Sequence, residues 1–264
     1  MKRWHLFEIA DEVWCPALIR DFATDYLEQV ITATKAYEPI VERLQRAINF
    51  AQAEYVIDLC SGGGGPWRQM EKSFAEHCPT IKIYLTDLHQ NAGAQERRLK
   101  PSGDTIQVHP DSLNALRVPP ELKGFRTLFS SFHHFKPTDA RTILRNAVET
   151  RSGIGIFEGT QRQPIALLGM LLVPLVVWIL TPQMRPFRWS RLLWTYLLPI
   201  VPFVVLFDGI VSCLRTYTVE ELQEFTNEFS GRDYSWEIGA VKAKHSLVPV
   251  TYLIGYPTSL TKTA

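Results

Sequence analysis

The chain has 264 residues, of which 46% are hydrophobic and 21% charged, with 28 Lys and Arg against 27 Asp and Glu. This balance excludes a disordered tail, a collagen-like chain and a coiled coil, and the length suffices for one large domain or a domain with an insertion. A formal net charge of +1 argues against a dedicated nucleic-acid binder, which needs an excess of basic side chains against phosphate.

Cys15, Cys60, Cys78 and Cys213 are widely spaced, without a CxxC pair or a His/Cys cluster of zinc spacing. The opening stretch MKRWHLFEIADEVW is interrupted by charges too early for the apolar run of a signal peptide, so a reducing, cytoplasmic setting is expected.

In chain order, Leu18, Ile19, Phe22, Tyr26, Leu27, Val30 and Ile31 recur at three- and four-residue steps, and Ile40, Leu44, Ala47 and Ile48 continue the pattern. This spacing predicts two helices in an N-terminal cover over 1–52. Trp14, Arg20 and Tyr26 are candidates for a lid over a ligand. From 55 onward, short apolar runs alternate with helical stretches: strands at Tyr55–Cys60, Ile81–Thr86, Thr105–His109, Phe125–Ser130 and Gly153–Phe157, with a helix over Pro137–Thr150 and Thr138 as its N-cap. Strand and helix in alternation predict an α/β fold, a mostly parallel sheet with helices on both faces.

Residues 164–208 break that pattern. Two apolar runs of 16 residues, Ile165–Leu180 and Leu192–Phe207, flank a linker with Arg185, Arg188 and Arg191. Each run is shorter than the roughly 20 residues of a comfortable membrane span, and Pro174, Pro199 and Pro202 interrupt them. The three arginines beside Trp178, Trp189 and Trp194 suit a headgroup level. A hairpin docked on the cytosolic membrane face is one expectation; a buried lid or dimer interface is the other. After the insertion, Thr218 and Glu221 form a capping box. Tyr234–Ala243 and Val248–Tyr256 follow with no helix between them, which predicts an antiparallel closing hairpin. The α/β domain is thus expected over 53–163 and 209–264.

The strongest chemical signal is the strand Val56–Leu59 running into Cys60-Ser61-Gly62-Gly63-Gly64-Gly65-Pro66-Trp67, with Asp87 lying 23 residues after Gly64. Glycines let a backbone approach a ligand, and an acid at the tip of the next strand accepts ribose hydroxyls, so the pair describes a nucleoside-bearing cofactor. Trp67 stands where a dinucleotide fingerprint needs its third glycine, and the loop has no Lys-Ser/Thr for a triphosphate.

These residues resemble the class I S-adenosylmethionine-dependent methyltransferases over roughly 55–160, and more loosely over 210–256. Asp58 to Pro66 looks like the first motif of that family, Asp87 its ribose acid, and His109-Pro110-Asp111-Ser112 the segment near the adenine. Ser130-Ser131-Phe132-His133-His134-Phe135 looks like the segment facing the methyl group. The resemblance implies a Rossmann-like methyltransferase sheet with a reversed last strand. It implies S-adenosylmethionine as cofactor, held by Asp58, Cys60, Ser61, Gly62, Gly63, Gly64, Asp87, Leu88, Asp111, Ser112 and Ser130. Cys60 departs from the family by replacing the first glycine of the loop, which puts cofactor affinity in doubt.

The expected activity is methyl transfer to a small, lipophilic acceptor, with oxygen favoured. One of His133, His134 and Glu158, all at strand ends, is the expected base. Tyr217, Arg215 and Trp189 are candidate acceptor contacts. His5, His77, His89 and His245 stand outside any cluster, and no metal requirement is expected. The alternatives are a membrane-docked cofactor-binding module without turnover and, from another class, a nicotinamide-dependent oxidoreductase. The expected partners are the small molecule and a peripheral membrane contact through 164–208, with no nucleic acid.

Overall fold

The computed structural model describes residues 1–62, 64–88, 105–244 and 248–258. Gly63, His89 and His245 therefore lie outside the described residues.

The strands are β1 (Tyr55–Asp58), β2 (Lys82–Leu85), β3 (Ile106–Val108), β4 (Phe125–Phe129), β5 (Ile154–Glu158), β6 (Tyr234–Val241) and β7 (Val250–Pro257). They form one sheet in the order β3-β2-β1-β4-β5-β7-β6. The first five strands run parallel, and β7 pairs antiparallel with both β5 and β6. This is the mostly parallel sheet with a reversed last strand expected above. Both β4 and β5 are buried throughout, as central parallel strands are, and the one cation in them, Arg126 of β4, is paired with Asn146 and Thr150. The parallel run turns outward on either side of β1, so the carboxyl ends of β1 and β4 border the crevice where such sheets bind ligands.

The helices are α1 (Ala17–Thr34), α2 (Val41–Ala51), α3 (Trp67–His77), α4 (Pro137–Glu149), α5 (Pro164–Met170), α6 (Val173–Leu180), α7 (Trp189–Leu192), α8 (Ile200–Arg215) and α9 (Val219–Asn227). One core packs α2 and α3 on the sheet around Trp67, Phe74, Phe125 and Phe157. A second core, around Ile143, Leu144, Leu222 and Phe225, packs α4 and α9 on the sheet. A third joins α1 to α6 and α8 through Phe22, Tyr26, Val177, Val201 and Val204. Each such side chain, fully buried, contributes about 1.5–3 kcal/mol.

The two N-terminal helices thus part company, since α2 belongs to a sheet core and α1 to the apolar layer. Ile19, Phe22, Ala23 and Tyr26 form the buried stripe of α1, while Leu18 and Leu27 face outward. The N-cap of α4 is Lys136 rather than Thr138, without a side-chain cap. Pro137 at the first helical position sets the entry, because its missing N–H is one the helix leaves unpaired anyway. Thr218 and Glu221 form the expected reciprocal cap of α9.

Candidate active site

Asp58 ends β1 almost fully buried, and its Oδ1 accepts the Thr127 hydroxyl at 2.6 Å. Burial pushes this carboxyl up to about 7 despite the Thr127 hydroxyl, and the charge of Asp87 adds to the rise. The loop that follows turns through left-handed backbone at Cys60 (φ +56°), Gly62 (φ +51°), Gly64 (φ +107°) and Gly65 (φ +54°). Ser61 ties it down, its hydroxyl lying 2.8 Å from the carbonyls of Asp58 and Thr86. Gly62 N–H donates to Asp87 Oδ2 at 3.0 Å, so the acid stands directly over the loop. A Cβ built on Gly62 would meet nothing within 4 Å, which leaves open space for a ligand against the backbone. A turn of left-handed backbone that opens to solvent at Gly62, with a carboxylate on its rim, fits a nucleoside-bearing cofactor.

Cys60, the residue at which the loop departs from the resemblance, adopts a glycine-like angle. Burial pushes its thiol up to about 12. Leu88 is half exposed beside Asp87. Asp111 and Ser112 follow β3, both exposed. The Asp111 N–H donates to His109 Nδ1 at 3.1 Å, and Ser112 lines a surface groove with Asn114, Arg117 and Thr142. Ser130, at the end of β4, is a second left-handed residue (φ +43°). Its Oγ lies 2.6 Å from Tyr37 Oη and accepts the Gly159 N–H at 3.2 Å. Tyr37, from the link between α1 and α2, is a site neighbour that sequence reading missed.

His133 and His134 sit in a short turn, Phe132–His134, directly after β4. His133 is 2% exposed. Its Nδ1 is 2.7 Å from Glu158 Oε2 and its backbone N–H donates to Glu158 Oε1 at 3.2 Å. Its Nε2 faces Glu8 Oε1 at 3.4 Å, an ion-pair distance without a well-aligned hydrogen bond. Burial alone would lower this imidazole, but Glu158 and Glu8 outweigh it and raise it to about 9. The side chain of His134 is 29% exposed; its Nδ1 lies 2.8 Å from Asp11 Oδ2 and its Nε2 3.9 Å from Glu8 Oε2. The two rings are 4.3 Å apart.

The structure therefore brings all three candidate bases together and adds two acids from the N-terminal segment. Glu8 accepts from Ser212 Oγ at 3.0 Å and from Arg215 Nη1 at 3.2 Å. The N–H groups of Ile9 and Ala10 donate to the Asp208 carboxylate at 2.6 and 3.0 Å. Burial works against ionising Glu8 and Asp11, yet the histidines hold both carboxyls below their usual range. No local pattern marks these acids, since Asp11 and His134 are 123 residues apart.

Arg20, one of the candidate lid residues, instead anchors this segment by donating to the carbonyls of Ala10, Glu12 and Cys15. Tyr26 is buried in the third core and Trp14 is 63% exposed. Arg215 donates to the His134 carbonyl and Tyr217 to the Phe135 carbonyl, so both brace the turn. Trp189 is 78% exposed and packs edge-on against Phe187.

The insertion carries a broad exposed apolar face, including Ile165, Leu168, Leu172, Ile179, Leu197 and Phe203, and Trp4, Phe7, Val13 and Trp14 of the N-terminal segment are exposed as well. Among the described residues no single helix is long and apolar enough to cross a membrane, but two helix pairs, bent by 43° and 72°, pass that test jointly. Arg185 and Arg188 are exposed. Arg191 is not available to headgroups, because it is buried and its Nη2 bonds Asp25 at 2.6 Å.

No protein-family model matches the chain. No curated protein matches it in sequence. Among solved structures, the chain is similar to the plantazolicin methyltransferase BpumL in complex with SAH, with a TM-score of 0.59 and 10% identity over 94% of each chain. It is also similar to an O-methyltransferase family protein from Burkholderia thailandensis, with a TM-score of 0.49 and 15% identity over 88% of this chain and 59% of that one. The first likeness, together with the strand order, shows the fold: a Rossmann-like methyltransferase sheet with helices on both faces.

Proposed function

We propose that the chain transfers the methyl group of S-adenosylmethionine to an oxygen of a small lipophilic acceptor. One observation carries this reading. An open left-handed loop with Asp87 over it ends β1, while a histidine–carboxylate cluster ends the neighbouring β4 and β5. BpumL, which shares the fold, was solved with SAH bound.

When bound, the cofactor supplies an electrophilic methyl group on a sulfonium. In this reading the backbone of Gly62 and Gly64 lies against it, Asp87 accepts the ribose hydroxyls and Asp111 meets the adenine. Asp58 and Ser61 keep the loop in shape. The acceptor hydroxyl meets the cluster of Glu8, Asp11, His133, His134 and Glu158, which takes up its proton. His133 and Glu158 are committed to each other, so the half-exposed His134 is the member that the acceptor reaches. Alignment of the acceptor oxygen with the methyl group supplies most of the acceleration. Calorimetric titration is the direct test: S-adenosylmethionine binds and Asp87→Ala weakens it at least tenfold. Binding of a nicotinamide dinucleotide in its place would overturn the reading.

The lipophilic acceptor and a peripheral membrane contact rest on the apolar face of the insertion. Between 164 and 207 the sequence has no acidic residue, and exposed Arg185 and Arg188 flank exposed Trp189, a composition suited to an anionic headgroup layer. On this reading the insertion lies on the cytosolic leaflet and admits the acceptor from it. Flotation of the protein with vesicles containing phosphatidylserine is expected, and equal recovery in the soluble fraction with and without vesicles would contradict it.

A further inference from the structure

We propose that Glu8, His133 and His134 form a binding site for one divalent transition-metal ion of the zinc class. One ligand atom from each residue falls within 4.8 Å of the others, and the histidine nitrogens that face Glu8 are His133 Nε2 and His134 Nε2. Tetrahedral ligands with bonds of about 2.0–2.1 Å stand roughly 3.4 Å apart. The separation of His133 Nε2 from Glu8 Oε1 is 3.4 Å, and that of His134 Nε2 from Glu8 Oε2 is 3.9 Å. The side chain of His134 is 29% exposed, so this ligand stands at the solvent side of the group.

Two independent observations point to a ligand here. His133 Nε2 is buried without a well-aligned hydrogen bond and lies 3.4 Å from Glu8 Oε1, so the pair is already brought together at ligand spacing. Moreover, each histidine rests its other nitrogen on a carboxylate, His133 on Glu158 at 2.7 Å and His134 on Asp11 at 2.8 Å. That is the outer-shell arrangement of metal-bound histidines, in which the carboxylate fixes ring and tautomer and leaves the second nitrogen for the ion. Ser212 and Arg215 hold Glu8 Oε1 and so fix the third ligand. Three carboxylates, Glu8, Asp11 and Glu158, surround the pair, and the guanidinium of Arg215 lies within ion-pair distance of two of them, Glu8 and Asp11. Two imidazoles with one carboxylate favour zinc-class ions over Mg2+ or Ca2+, which take oxygen ligands. The partial exposure of His134 leaves room for a further ligand.

The site itself does not depend on the methyl-transfer reading. Its consequence does rest on it: with Nδ1 of His134 on Asp11 and Nε2 on the ion, the ion rather than the ring would meet the acceptor oxygen and stabilise its negative charge. The test uses the full chain, stripped with a chelator, dialysed and titrated with Zn2+, followed by elemental analysis. One tight equivalent per chain is expected. His134→Ala should weaken it by at least tenfold, and Asp11→Asn, which removes the negative charge beside His134 and Arg215, by roughly 10–100-fold. Thermal melting checks that both variants remain folded, and S-adenosylmethionine binding, measured separately, tests the other reading. Equal Zn2+ affinity and stoichiometry in the wild type and a folded His134→Ala would overturn the site. So would the absence of a tight equivalent in the wild type, or a preference for Mg2+.

Discussion

Cys60 and Asp58 show how the glycine loop combines strain and burial. A side chain at φ +56° costs roughly 1 kcal/mol relative to glycine, so Cys60→Gly is expected to stabilise the chain by about that amount in urea unfolding. It is also expected to tighten cofactor binding, and a destabilised variant would show that the thiol packing outweighs the strain. Asp58 is raised to about 7 by burial, so between the usual Asp range and about 7 the folded chain keeps a proton that the unfolded chain has lost. This group therefore contributes a stability loss as pH rises through that window, of the order of 4 kcal/mol. Asp58→Asn should flatten the fall between about pH 4 and 7, and an unchanged slope would contradict the assignment. Asp58, Gly62 and Asp87 were legible in the sequence because a strand, a loop and the next strand tip are close along the chain. Glu8, Asp11 and Tyr37 were not, since tertiary packing alone brings them to the turn after β4.

At the scale of elements, the reciprocal cap was legible where a lone capping residue was not, since Lys136 and not Thr138 caps α4, and the fate of apolar stretches was legible least. Thr218 and Glu221 form the reciprocal cap that their spacing predicts, and Thr218→Ala should cost about 1 kcal/mol, read as a shift in the unfolding midpoint. The prolines of the insertion begin helices as well as interrupting apolar runs, with Pro174 in the first turn of α6 and Pro199 capping α8. Apolar periodicity alone does not say which core a helix joins, and so α1 and α2 looked like one cover in sequence. The exposed apolar face of the insertion belongs to the same scale. Leu197 is 74% exposed, so Leu197→Asp should leave folding intact and lower vesicle binding by roughly tenfold, the loss of one buried leucine. Unchanged flotation would remove Leu197 from the docking face.

Across the whole molecule, the N-terminal segment links the sheet to the apolar layer. Glu8 and Asp11 reach the histidines at the end of β4, Asp208 of α8 holds the backbone between them, and α1 packs on α6 and α8. The reaction crevice and the apolar face are therefore built on one connected frame, which is why the account joins methyl transfer to a lipophilic acceptor. The most direct test incubates the purified protein with methyl-labelled S-adenosylmethionine and membranes of its source, then partitions the label. The account predicts label in the organic phase, reduced by His134→Ala and by Leu197→Asp. Label confined to the aqueous small-molecule, protein or RNA fractions would contradict it.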